Sequence, residues 1–193
     1  QTILLAQQTE QINVKLNGFV KTDFMFDSRA TVSAREGHFL LYPSAEVIDN
    51  RGNDINANSS FNSLAIQSRL KGTITGPEAL GAKTSGVVEG AFFGHSNNDI
   101  NGFRLRHAFI KLAWKSSSLI IGQYWHPFFV PEVYPGVVSF NSGVPFQPFS
   151  RNPQVRFTKY FGKTSISLTA ASQRDFASSG PFGSGSQYLR NSS

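Results

Sequence analysis

The stretch INVKLNGFVKTDFMFD, Ile12 to Asp27, decides the fold. Ile12, Val14, Leu16, Val20, Phe24 and Phe26 fall on one parity, and Asn13, Lys15, Asn17, Lys21, Asp23 and Asp27 fall on the other. Strict alternation of this kind is a β-strand with one apolar and one polar face. The phase holds well beyond the ~5–6 residues of an ordinary soluble strand and covers the ~9–11 tilted residues that cross a bilayer.

The pattern recurs along the chain. Leu64, Ile66, Leu70 and Ile74 alternate with Ser63, Gln67, Arg69, Lys71 and Thr73, and Lys83 to Gly94 continues after a turn at Gly76-Pro77 to Gly81. In Phe103 to Lys115 the phase slips: Phe103 and Leu105 lie on one parity, Ile110, Leu112 and Trp114 on the other. One extra residue in a β-bulge near His107 reconciles them and turns Arg104, Arg106 and Lys111 to the polar side. Leu119–Trp125, Pro153–Phe161 and Thr164–Arg174 complete about seven strands, while residues 28 to 60 read as irregular. Long and short connections alternate. Aromatic residues gather at both strand ends, with Phe24, Phe26, Phe61, Phe92, Phe93, Phe103 and Tyr124 toward the long loops and Trp114, Tyr160 and Phe161 opposite. Alternating loop lengths and two aromatic bands are features of outer-membrane barrels, so the expected fold is all-β, an antiparallel transmembrane β-barrel.

Composition agrees. Hydrophobic residues make up 39% of 193 and mean hydropathy is −0.21, so a helical membrane protein is excluded, whereas a barrel hides its lipid-facing residues among polar ones. There are no cysteines, hence no disulfide framework, thiol nucleophile or Cys-based zinc site. A net charge of +6, spread singly along the strands, suits a lumenal wall for anions better than a nucleic-acid arm. Residues 1–10, with Ile3-Leu4-Leu5-Ala6, read as a signal-peptide remnant or a disordered N-terminus. Residues 11–193 read as the N-terminal portion of a barrel domain. The Gly/Ser-rich end, SSGPFGSGSQYLRNSS, supplies no closing strand, which points to a part of a longer chain.

Several motifs imitate chemistry. GPEALGAKTS differs from a phosphate-binding loop by Ala82, inserted between Gly81 and Lys83, and sits in an alternating segment without the helix that the motif needs. NNDING has calcium-loop spacing, but Ala108 stands where a bidentate Glu is required. The histidines His38, His95, His107 and His126 show no metal spacing and read as loop or rim residues. No paired carboxylates or nucleophile elbow point to catalysis, so neither an enzyme nor a cofactor is expected. Asn58-Ser59-Ser60 is a formal sequon only.

Four segments carry a family resemblance: LNGFVKTDFMFD, GFRLRHAFIKLAW, LIIGQYWHPF and PFSRNPQVRFTKYFG. In their order and spacing they resemble the outer-membrane porins of Gram-negative bacteria, most nearly the DcaP-like or phosphate-porin-like group as found in Bacteroidetes. The resemblance implies a trimer of sixteen-stranded barrels in the cell outer membrane, with residues 126–152 as a constriction loop folded inward. It implies passive diffusion of small hydrophilic, anionic solutes, with outer-membrane lipid around the barrel and no nucleic acid. The candidate pore-lining residues are Lys21, Arg69, Lys71, Arg104, Arg106, Lys111, Arg151 and Arg156, opposed in part by Asp23 and Glu89. The rival is a secreted or surface β-sheet protein that binds glycans through aromatic-rich loops, Trp125 to Phe149 being its best support.

Overall fold

The structure is a computed structural model that describes residues 12–34, 37, 39–94, 97–134, 150–172, 179–180 and 183–184. Its strands in chain order are β1 (Asn13–Phe19), β2 (Asp23–Asp27), β3 (Thr31–Ala34), β4 (Phe39–Pro43), β5 (Ser60–Leu64), β6 (Arg69–Ala79), β7 (Ala82–Phe92), β8 (Phe103–Ala113), β9 (Ser117–Trp125), β10 (Arg151–Phe161), β11 (Thr164–Ala171), β12 (Ser179–Gly180) and β13 (Gly183–Ser184). The helical pieces among the described residues are single 3-10 turns at Asn97–Asp99 and Pro131–Val133. The main sheet has seven strands in the order β1-β6-β7-β8-β9-β10-β11, antiparallel throughout. β6, β7, β8 and β10 each run 11 residues, the length of a tilted membrane strand.

Side chains directly opposite one another in an antiparallel pair share a face. One row therefore runs Val14, Ile74, Gly86, Ile110, Ile121, Val155, Ala170, and another joins Leu112, Leu119, Phe157 and Leu168. This face is apolar and exposed, as Leu16 (80%) and Leu168 (79%) illustrate. The opposite face carries the row Asn17, Lys71, Glu89, His107 and the row Thr75, Ser85, Lys111, Ile120, Arg156, Thr169. Here charged and polar groups are buried, among them Glu89, Arg104, Arg106, His107, Arg151 and Gln154. A soluble sheet buries its apolar face; this one has the distribution inverted.

Short turns lie at one end. Leu80 (φ 55°) and Gly81 (φ 69°) form a two-residue hairpin with both residues left-handed, the twist-compatible type I′ arrangement. The strand reaches Ala79 before this turn, so the expected turn over 76–81 narrows to two residues, with a register shift between Gly76 and Ala79. Neighbouring turns are stitched together: the Trp114 indole donates to Leu80 O at 2.9 Å, and Lys159 Nζ donates to Ser116 Oγ at 2.8 Å.

Two local features depart from the expected pattern. The first long strand is broken, because β2 pairs β5 in a separate ribbon and three residues (20–22) face four (65–68). Gln67 absorbs the extra length at φ 68°, and its side chain accepts from Lys21 Nζ at 2.9 Å. The stretch expected to be irregular contains the β3–β4 hairpin and an Ile48–Asp54 bridge. Asp54 organises that loop by accepting from Val47 N and Asn56 N, both at 3.0 Å, and pairing with Arg29 at 2.7 Å.

Candidate functional site

The phase slip in β8 is a bulge. Glu89 pairs with His107 and Gly90 with Leu105, so Arg106 is the extra residue. Two consecutive residues then turn to one side, which places Arg104, Arg106 and His107 together on the polar face. The bulge also frees backbone carbonyls, since β8 pairs with β9 only from Ala108 onward. The Gln123 amide donates to Arg106 O at 3.0 Å and to Leu105 O at 3.4 Å. Opposite this region Gly122 has φ +130°, and a Cβ there would sit 2.3 Å from Ala108 O. Only glycine fits.

Three strands meet at Glu89. Arg106 Nε donates to Glu89 Oε1 at 2.7 Å, and Arg69 Nε lies 3.5 Å from the same oxygen. The two arginines differ in setting: the Arg106 side chain is 4% exposed and that of Arg69 is 25% exposed. A buried charge pair persists only when desolvation is offset by close geometry and further contacts, and here each guanidinium also faces a ring. Arg69 lies 5.1 Å from the Phe19 centroid and Arg106 lies 5.8 Å from that of Trp125.

The other candidate residues follow the same design. The Arg104 guanidinium carbon lies over Phe93 at 5.0 Å from the centroid, that of Arg151 over Trp125 at 4.8 Å and that of Arg156 over Tyr124 at 5.3 Å. Arg156 also donates to Trp125 O at 2.6 Å and Gln154 Oε1 at 2.9 Å. Lys71 shares the row of Glu89 and His107, and Lys111 that of Ile120 and Arg156. Lys21 and Asp23 stand apart in a pair of their own at 3.0 Å, beyond the break after β1. The candidates thus form an arginine and aromatic wall with one internal carboxylate, and Asp23 is committed to Lys21.

Two expectations need correction. His107 is no rim residue: it lies inside β8, 6% exposed, between Trp125 (5.0 Å) and Tyr124 (5.5 Å). His126 does sit at a loop foot, and His38 and His95 lie outside the described residues. Phe93 is buried and Tyr124 faces Arg156, so neither joins the exposed aromatic band, whereas Phe24, Phe26, Phe61, Phe92 and Phe103 are exposed. The rings that seat the arginines escape sequence reading because each partner is distant in the chain.

The loop after β9 starts on the polar side. His126 N donates to Ser150 O at 2.9 Å, closing the neck above the Trp125–Arg151 pair. Phe129, 3% exposed, packs 4.3 Å from Trp125, and Tyr134 packs 5.3 Å from Phe129. Arg151 and Asn152 already belong to β10, so the loop ends at Ser150 instead of 152. Residues 135–149, with Phe140, Phe146 and Phe149, lie outside the described residues, as do residues 1–11. The NNDING segment is a compact turn in which Gly102 N donates to Asp99 O at 3.3 Å, and GPEALGAKTS is the β6–β7 hairpin. Among the described residues no three His, Cys, Asp or Glu side chains gather as metal ligands.

No family model matches the sequence, and no curated protein matches it. Among solved structures, the crystal structure of the outer membrane channel DcaP of Acinetobacter baumannii is similar, with a TM-score of 0.56 at 22% identity. The match covers 83% of this chain and 41% of that one, so the chain spans about two fifths of the channel it resembles. At that identity the likeness shows the fold alone: an all-β, antiparallel sheet similar to part of that structure, not closed into a barrel among the described residues.

Proposed function

We propose that this chain forms part of the wall of an outer-membrane porin, a water-filled channel through which small hydrophilic, anionic solutes diffuse passively. The observation that carries the reading is the inverted sheet: Val14, Leu16, Ile110, Val155 and Leu168 exposed on one face, and Arg104, Arg106, Glu89 and His107 buried on the other. Exposed aliphatic rows of membrane length suit acyl chains, and a charged face suits a water-filled lumen. Similarity of fold to a solved outer membrane channel supports the same reading.

Anion preference rests on the excess of guanidinium over carboxylate along the polar face. Arginines lying over aromatic rings have their side chains partly anchored, so an anion exchanges part of its hydration for guanidinium contacts with less reorganisation. The loop from His126 begins by folding toward this face through Phe129, which supports its reading as a constriction. In this account the barrel has sixteen strands, assembles as a trimer and makes or breaks no covalent bond. The test is planar-bilayer recording of the full-length protein in a KCl gradient. Stepwise openings with a reversal potential on the chloride side are expected; a protein that is stable without detergent and gives no conductance refutes the proposal.

A further inference from the structure

On the polar face of the seven-stranded sheet, one carboxylate meets two guanidiniums. Glu89 lies on β7 between Arg69 of β6 and Arg106 of β8, and both reach its Oε1. The other acidic residue of this sheet among the described residues, Glu78, sits two residues before the Leu80–Gly81 turn, at the far end from the wall. Glu89 therefore has no carboxylate neighbour in its rows, which hold Asn17, Lys71 and His107 on one side and Arg69, Ala91 and Arg104 on the next.

The two ion pairs are unequal. Arg106 is buried, hydrogen-bonded to Glu89 at 2.7 Å and carried on the bulge that aims it there. Arg69 is more exposed, at 3.5 Å, with Phe19 beneath it. A close, buried pair cancels its own field at a distance, whereas a looser and more solvated cation keeps its field in the lumen. We propose that Glu89 sets the charge selectivity of the wall by neutralising Arg106, leaving Arg69 as the cation that passing ions meet. This assignment rests on the pore reading above and gives three residues distinct roles: Glu89 tunes, Arg106 holds Glu89 in place, and Arg69 acts on the solute.

The experiment is reversal-potential measurement on the full-length protein in planar bilayers, comparing the native sequence with Glu89→Gln, Arg69→Gln and the double substitution. Heat-modifiable migration in gels checks that each variant folds. Glu89→Gln is expected to raise the chloride-to-potassium permeability ratio about two- to fivefold, the effect of a unit charge within about 8 Å of an ion in a water-like medium. Arg69→Gln is expected to lower the ratio by a similar factor, and the double substitution to return it near the native value. Folded Glu89→Gln channels with the native ratio overturn the inference while leaving the pore reading intact. Should Glu89→Gln fail to fold, Arg69→Gln decides: an unchanged ratio overturns the inference. Absence of conductance from the native protein overturns the pore reading itself.

Discussion

Arg106 Nε lies 2.7 Å from Glu89 Oε1 at the point where β8 holds one residue more than β7. The bulge and the ion pair explain each other. Without the extra residue, strict alternation would send either Arg106 or His107 to the apolar face, and the bulge keeps both on the polar one.

Removing Arg106 strips the buried Glu89 carboxylate of its close, hydrogen-bonded partner and leaves it only the looser Arg69 at 3.5 Å. Arg106→Leu is expected to lower the unfolding free energy by about 3 kcal/mol, within the range for breaking a buried pair. The double substitution Arg106→Leu with Glu89→Leu is expected to lose less than Arg106→Leu alone, because it leaves no buried carboxylate compensated only by the looser, more exposed Arg69. Urea titration of the protein refolded into liposomes checks both, and a double variant less stable than the single one contradicts the account.

Gln123 is expected to matter for a reason unrelated to charge. Its amide satisfies the Leu105 and Arg106 carbonyls that the bulge frees, and it does so from the row of Leu16, Val88 and Ala108, on the apolar face. Unsatisfied backbone groups facing lipid are costly. Gln123→Leu, although more apolar, is expected to destabilise the refolded protein by about 1–2 kcal/mol. Equal or greater stability in the same titration contradicts this role.

The loop around Asp54 has its own pH dependence. Backbone donation from Val47 and Asn56 and the Arg29 guanidinium hold the Asp54 carboxyl below its ordinary value, and backbone donation from Asn53 and Arg51 does the same for Asp49. A carboxyl depressed in the folded state contributes stability that is complete above the unfolded value of about 3.9 and is lost as pH falls through the lower folded value. Amide-exchange protection factors in residues 44–57, taken against the intrinsic rate at each pH, are therefore expected to be unaffected by this coupling between about pH 5 and 8 and to fall below about pH 4. Asp54→Asn is expected to remove much of that acid step; an unchanged step assigns it elsewhere.

Much of this fold is legible in the sequence because a two-sided sheet writes its faces as parity. The seven long strands, the alternation of turn and loop, and the extra residue near His107 all follow from the spacing of Val, Ile, Leu and Phe against Lys, Arg and Ser. Where the pattern stays in phase but the partner strand gains a residue, as at Gln67 opposite 20–22, periodicity of one strand is silent. The β3–β4 hairpin is too short and too polar to register. The site was half legible: parity placed Arg69, Glu89, Arg104 and Arg106 on one face, but the seating of Arg69 on Phe19 joins residues fifty apart, which only register brings together. The burial of His107 is not legible in the sequence because a lone histidine carries no spacing signal; the bulge that turns Arg106 to the polar face turns His107 there as well.

The central claim is that one face of this sheet meets lipid and the other meets water. The chain has no cysteine of its own, so a cysteine introduced at one position places the label at a unique site within it. The most direct measurement is the accessibility of labels at Val155, Phe157, Thr158, Ser167, Leu168 and Thr169 to oxygen, which concentrates in the bilayer, and to a water-soluble nickel complex, in liposomes of the full-length protein. High oxygen accessibility at 155, 157 and 168 with high nickel accessibility at 158, 167 and 169 is the predicted result. Loss of that alternation, or its reversal, contradicts the account.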